Sequence, residues 1–189
     1  MNENQVHTYI SEVISGNTNS FNHLVDGYKD MVYSICIKIT SDPELAEEVS
    51  QDVFVKAYQG LNKFKKKSKF STWLYQIAYF TAINAVRKKK IEINEFTELS
   101  TLESNESSID HLESQDRKEL IQKAILRLKA DERGVITLYY LEEFSIEEVA
   151  KITRLSISNV KVKVHRARKK LYGILELMLK EEFKTLKYE

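Results

Sequence analysis

At 189 residues, 42% hydrophobic and 30% charged, the chain has the make-up of a soluble globular protein with one domain or two small ones. Five glycines and one proline exclude a turn-rich β protein and suit helices joined by short breaks, and a single cysteine excludes an internal disulfide. The net charge of +1 conceals a segregation: residues 62–90 hold nine basic side chains and no acidic one, and residues 91–116 hold eight acidic and no basic. The N-terminus lacks the basic, apolar and small-residue succession of a leader, and no apolar run approaches membrane-spanning length. A cytoplasmic protein without membrane insertion is expected. His7, His23, His111 and His165 show no metal-ligand spacing, and there is no Gly-rich phosphate loop, so no metal, cofactor or catalytic group is expected.

In chain order, Val6, Tyr9, Ile10, Val13 and Ile14 mark a short amphipathic helix that stops near Gly16 and Asn17. Asn19 or Ser20 can cap the next. Its stripe of Phe21, Leu24, Val25, Tyr28, Met31, Val32, Ile35, Cys36 and Ile39 places Cys36 in the core. Ser41-Asp42-Pro43-Glu44 restarts the chain with proline at a first helical position, and the third helix stops at Gly60. Leu45, Val49, Val53, Phe54 and Ala57 form its apolar side. Its acidic face, with Glu44, Glu47, Glu48, Gln51 and Asp52, is repelled by nucleic acid and reads equally as a basic-protein contact or a solvated surface.

Residues 61–70 form a loop with Lys63, Lys65, Lys66, Lys67 and Lys69 between Phe64 and Phe70. The helix that follows, capped by Ser71 or Thr72, carries Trp73, Tyr75, Tyr79 and Phe80 and ends in Arg87-Lys88-Lys89-Lys90. With Trp73, Leu74, Ile77, Ala78, Thr81 and Ala85 facing the core, Tyr75, Tyr79 and Phe80 spread around the helix and cannot all face inward. Lysines that hold phosphates beside rings that stack on unpaired bases make a single-stranded nucleic-acid surface; any one ring taken alone reads better as packed on a neighbouring helix, and the cluster as a whole as a binding surface. Residues 91–113, acidic and rich in Ser, Asn and Thr, read as a flexible linker between a domain at 1–90 and another at 114–189.

Beyond the linker, Leu120, Ile121, Ala124, Ile125 and Leu128 mark one helix, and Asp131 can cap another with Val135, Ile136, Leu138, Tyr139 and Leu141. Ser145-x-x-Glu148 is a capping box opening a short helix with Ile146, Val149, Ala150 and Ile152 on one face. After a break at Arg154-Leu155-Ser156, Val160, Val164, Ala167 and Leu171 form the inner stripe of a second helix. This helix is basic outside and continues through Ile174, Leu175, Met178 and Leu179. Residues 151–170 hold eight basic residues and no acidic one. Cap, break, stripe and charge together describe a helix-turn-helix for duplex DNA. A chain that grips duplex with one half and unpaired bases with the other fits promoter recognition and melting.

At this point a resemblance enters. Asp42-Pro-Glu-Leu-Ala-Glu-Glu-Val-Ser-Gln-Asp-Val-Phe-Val-Lys-Ala-Tyr58, then Phe64, then Phe70-Ser-Thr-Trp-Leu-Tyr-Gln-Ile-Ala78 with Arg87, resembles domain 2 of bacterial extracytoplasmic-function (ECF, group IV) sigma factors of the sigma-70 family. Asn159-Val-Lys-Val-Lys-Val-His-Arg-Ala-Arg-Lys-Lys-Leu171 resembles their domain 4 recognition helix. The resemblance implies an all-α protein of two small helical domains, a sigma domain 2 bundle and a sigma domain 4 helix-turn-helix, joined by the acidic flexible linker. It also implies a non-catalytic specificity subunit that binds core RNA polymerase, through the β′ clamp helices and the β subunit, and promoter DNA both duplex and melted. An anti-sigma factor is a further implied partner.

Carried over by position, Glu48, Gln51 and Asp52 become polymerase contacts. Lys65, Lys66, Lys67, Lys69, Tyr75, Tyr79, Asn84, Arg87 and Lys88 line the minus-ten element, the loop from Phe64 to Phe70 forming a pocket for a flipped base. Ser158, Asn159, Lys161, Val162, His165 and Arg166 meet the minus-thirty-five element, and Lys163 and Arg168 touch phosphate or solvent. Three departures from the family pattern stand out. Tyr79-Phe80 occupies places that are often polar or basic, so these rings either stack on bases or add to the core. Asn84 stands where aspartate is common. The turn at 154–158 lacks the usual glycine and proline. The competing reading is a stand-alone DNA-binding regulator whose N-terminal half senses or dimerises; a helical enzyme with a basic cleft lacks catalytic groups.

Overall fold

The computed structural model describes the backbone of residues 1–96 and 114–185, and side chains within 1–91 and 119–180. Among the described residues the chain is helical throughout: α1 (Glu3–Ile14), α2 (Phe21–Thr40), α3 (Pro43–Gly60), α4 (Phe70–Phe96), α5 (Ser114–Leu126), α6 (Ala130–Ile136), α7 (Ile146–Thr153) and α8 (Ile157–Thr185). Short 3₁₀ turns precede α2 and follow α3, and a π turn over Thr137–Leu141 extends α6. No described helix is long and apolar enough to cross a membrane.

Local chemistry places most boundaries. Asn2 caps α1 while the Gln5 side chain returns to the Asn2 amide, closing both orphan donors. Ser41 takes the left-handed conformation, φ 62°, and turns the chain out of α2. The Asp42 carboxylate then accepts from the Leu45 amide at 3.2 Å, with Pro43 opening α3.

Four expected boundaries shift. Ser20 precedes α2 but does not cap it, because its hydroxyl donates to Glu12 instead. Helix α4 starts at Phe70, inside which Ser71 and Thr72 are already helical, and it runs to Phe96, past the expected start of the linker; residues 97–113 of that linker lie outside the described set. Asp131 lies inside the first turn of α6. There Glu132 closes the helix start by accepting from the Lys129 amide at 3.1 Å, and Asp131 binds Lys163.

Helices α2, α3 and α4 pack as a bundle around Leu24, Val32, Ile35, Cys36, Ile39, Val49, Val53, Leu74 and Ala78, with α1 laid across α2. In the C-terminal half, Ile125, Leu128, Ile136 and Ala167 tie α5, α6 and α8 together. The two halves share a core. Val135, Leu138, Val149 and Ile152 join the N-terminal cluster, because α6 packs on α2 and α4 while α7 packs on α4.

Candidate nucleic-acid and polymerase surfaces

The helix-turn-helix is α7, its turn and the first half of α8. The Ser145 amide donates to the Glu148 carboxylate at 3.0 Å and the Glu148 amide donates to the Ser145 hydroxyl at 3.2 Å, the expected capping box. The Ser145 amide, together with the Ser145 hydroxyl donating to the same carboxylate at 2.9 Å, holds the Glu148 carboxyl below the usual range. The turn lacks glycine because Arg154 itself adopts the left-handed conformation, φ 56°. Ser156 then caps α8, accepting from the Asn159 amide at 3.2 Å. Val160, Val164 and Ala167 are buried, which turns Ser158, Asn159, Lys161, Val162, His165 and Arg166 outward on one face, all exposed. Lys163 and Lys170 of α8 are tied to α6 instead. Lys163 is half-buried and paired with Asp131, and Lys170 is bound to Glu132 at 2.8 Å. Lys163 keeps part of its side chain in solvent while it binds Asp131.

The second basic surface is built by an aromatic clamp. Phe64, Phe70 and Trp73 contact one another with ring centroids 5.2 to 5.6 Å apart, and the two phenylalanines are buried. The clamp pins both ends of the loop, so Lys65, Lys66, Lys67 and Lys69 all project into solvent, Lys66 in a left-handed conformation at φ 53°. Further along α4, Asn84, Arg87 and Lys88 are exposed. Lys89 leaves this track to bind Asp42, whose carboxyl the Lys89 hydrogen bond lowers first of all. Between the loop and α7 lies an open cleft of about 350 Å³ lined by Lys67, Ser68, Thr72, Trp73, Gln76 and Lys151.

Tyr75 and Tyr79 do not stand on this surface as exposed rings. They are only 6% and 5% exposed, and what covers them is the C-terminal half. Tyr75 meets Phe144 edge-on at 4.8 Å and donates its hydroxyl to Glu142 at 2.5 Å. Burial, and then that bond, push the phenol far above its ordinary range, so it stays a donor. Tyr79 lies against Gly134, and Phe80 sits beneath the Arg154 guanidinium, 5.4 Å from the ring centroid. The rings that could not all face their own bundle face the other one.

On α3 the expected contacts Glu48, Gln51 and Asp52 are exposed, with Asp52 3.6 Å from Lys56. The same face carries Val55 and Tyr58, 53% and 43% exposed, which sequence reasoning missed. The signal was present: Val55 falls outside the stripe of Val49, Val53 and Ala57, so an apolar residue was already assigned to the solvent side.

Comparison with known proteins matches each half of the chain to a family. Residues 24–91 match the family described as Sigma-70 region 2, and residues 118–171 match Sigma-70, region 4. The chain is 34% identical over 172 residues to the ECF RNA polymerase sigma factor SigW of Bacillus subtilis (strain 168), covering 86% of this chain and 92% of that one. It is 30% identical over 169 residues to the ECF RNA polymerase sigma-E factor of Escherichia coli (strain K12), covering 84% and 88%. Among solved structures, the sigma factor RpoE in complex with the anti-sigma factor NepR from Bartonella quintana aligns with a TM-score of 0.63 at 26% identity, covering 82% of this chain and 96% of that one. CnrH in complex with the cytosolic domain of CnrY aligns at 0.64 and 21% identity over 93% and 99%, a likeness of fold alone.

Proposed function

The chain belongs to the sigma-70 family as an extracytoplasmic-function sigma factor that directs core RNA polymerase to promoters, and from that premise we propose how its surfaces divide the work. The face of α8 from Ser158 to Arg166 enters the major groove of the minus-thirty-five element. Lys161 and Arg166 donate to base edges or phosphates there, Val162 offers an apolar contact, and the His165 ring nitrogens face base edges. The loop lysines Lys65, Lys66, Lys67 and Lys69, with Asn84, Arg87 and Lys88 along α4, hold the backbone of the opened minus-ten strand. Tyr75 and Tyr79 stack on its bases once uncovered. Glu48, Gln51 and Asp52, extended by Val55 and Tyr58, dock on the β′ clamp helices, with further contact to the β subunit.

The protein is a group IV member and a non-catalytic specificity subunit; bond formation belongs to the core enzyme. It works in the cytoplasm and is held in check by an anti-sigma factor. The observation that carries this reading is the separation of two outward basic surfaces, 158–166 and 65–88, one on each family-matched segment. The test is reconstitution with core RNA polymerase on double-stranded promoter DNA, which is expected to yield initiation at specific sites. Tight specific duplex binding without any association with core polymerase would replace it with a stand-alone regulator.

A further inference from the structure

The open cleft between the lysine loop and α7 holds hydroxyls with nothing to bond. Thr72, in the first turn of α4, is only 8% exposed, and its hydroxyl has no hydrogen-bond partner among the described residues and opens to the cleft. Ser68, four positions earlier, lines the same cleft and is equally unpartnered. Buried polar groups are normally bonded, so an unbonded one that faces a cleft points to something that enters it. The helix beside these hydroxyls is uncapped. Lys69 precedes α4 and its side chain cannot accept, so the amides of Phe70, Ser71 and Thr72 have no acceptor among the described residues; the first bond of the helix runs from the Trp73 amide to the Lys69 carbonyl. Lys67 from the loop and Lys151 from α7 add two cations, and the Trp73 indole adds a flat apolar wall. Glu148, held down first by its Ser145 bonds and then by Lys69 and Lys151, answers part of this charge from α7.

We propose that this cleft is a binding site for a small phosphate monoester of the size and class of a mononucleotide, a ligand other than promoter DNA. The hydroxyls of Ser68 and Thr72, the first-turn amides and the two lysines are all there to donate. Their match is a ligand rich in acceptor oxygens that carries more than one negative charge. A terminal phosphate has three free oxygens and a charge of about −1.5 to −2 at neutral pH. The phosphodiester of a nucleic-acid backbone has two free oxygens and a single charge, and would leave donors unused. Thr72 and Ser68 take phosphate oxygens, Lys67 and Lys151 balance the charge, and the positive end of α4 strengthens both. The Trp73 wall is left for the apolar part of the ester. A volume of about 350 Å³ lies at the small end of ligand sites, which run from about 300 to 1,000 Å³. A single water would satisfy Thr72 and leave the charge unanswered.

The test is calorimetric titration of the full chain, at fixed ionic strength, with adenosine 5′-monophosphate and with its 3′,5′-cyclic form. The cyclic form keeps base and sugar but is a diester. The monoester should bind at one site about tenfold more tightly than the cyclic form, which lacks one charge-assisted hydrogen bond, and inorganic phosphate should compete with it. Thr72→Val keeps the shape and burial of the side chain and removes only the donor. It should weaken monoester binding about tenfold while the urea midpoint stays equal or rises, because the unbound protein loses a hydroxyl that bonds nothing. A merely structural role for Thr72 would lower the midpoint instead. Lys151→Ala should weaken the monoester more than the cyclic form. Equal affinity for the two forms would overturn the proposal and make the cleft a stretch of strand-backbone track. No saturable binding, or wild-type affinity in Thr72→Val, would overturn it too and leave Thr72 to an ordered water. The titration contains neither polymerase nor promoter, so its failure leaves the promoter-directing assignment intact.

Discussion

Arg133 reaches across the molecule to the end of α2: its guanidinium donates to the Ile39 carbonyl at 2.6 Å and, within its own half, to the Leu126 carbonyl at 2.9 Å. At 6% exposure it is a buried cation spread over two helix C-termini, where the partial negative charge of the helix ends offsets part of its desolvation. Burial lowers its tendency to hold the proton, and the helix ends are what keep the charge acceptable. Arg133→Met keeps the stem but orphans two carbonyls, so urea unfolding should show a loss of about 1–3 kcal/mol. Arg133→Lys should recover only part, because a point ammonium does not span both acceptors. A methionine variant as stable as wild type would mean the two carbonyls are satisfied some other way.

Much of this architecture is legible in the residues, and the misreadings share one cause. The Ser145–Glu148 box, Pro43 behind Asp42, and the stripe from Leu24 to Ile39 encode local geometry, and local geometry is what periodicity reports. The residues leave Tyr75 and Tyr79 open between base stacking and packing, because a helix's pattern identifies a second apolar face without naming what covers it. Their cover comes from Gly134, Glu142 and Phe144, more than fifty positions along the chain. Asp131 looked like a cap for the same reason: a carboxylate near a helix start is a cap by local rules, yet Lys163 claims it from 32 residues away. Of the recognition face, the outward residues followed directly from the buried Val160, Val164 and Ala167.

That Asp131–Lys163 pair gives the stability a pH dependence of known sign. Partial burial pushes the Asp131 carboxyl up, but the Lys163 bond and charge together with backbone amides outweigh it, and the net shift is downward. A carboxyl depressed on folding contributes above its unfolded value, about 3.9, and loses that contribution as pH falls through the lower folded value. The difference in urea midpoint between wild type and Asp131→Asn should therefore hold steady from pH 7 to 5 and close below about pH 4. Because both side chains are partly solvated, the ionic part should stay below about 1 kcal/mol and shrink in salt. A difference that persists unchanged at pH 3 would assign it to packing.

Lys66 separates backbone from charge. Its left-handed conformation, φ 53°, costs a residue with a β-carbon about 1–2 kcal/mol, which glycine avoids while losing about 0.5–1 kcal/mol in chain entropy. Lys66→Gly should therefore leave stability within about 1 kcal/mol of wild type. If the lysine neutralises a phosphate of the opened strand, glycine should lower the slope of log affinity against log salt for the polymerase–promoter complex by about 0.7–0.9, and Lys66→Arg should not. The measurement is promoter binding by the reconstituted holoenzyme across a potassium chloride series. An unchanged slope for the glycine variant would remove Lys66 from the contact.

Cys36 reports on the α2–α3 seam. Its side chain is fully buried, and burial pushes the thiol up to about 11 although a hydrogen bond with Ser50 pulls the other way. At pH 7.5 only on the order of one thiol in three thousand would be ionised even if a reagent could reach it. A thiol-reactive dye should therefore leave the native protein unlabelled while labelling guanidinium-unfolded protein at once. Gly134→Ala presses a β-carbon on the Tyr79 ring of α4 and leaves the α2–α3 contact in place, so Cys36 should stay protected in that variant too. Rapid labelling of that variant would mean that the collision with Tyr79 disturbs the N-terminal bundle itself.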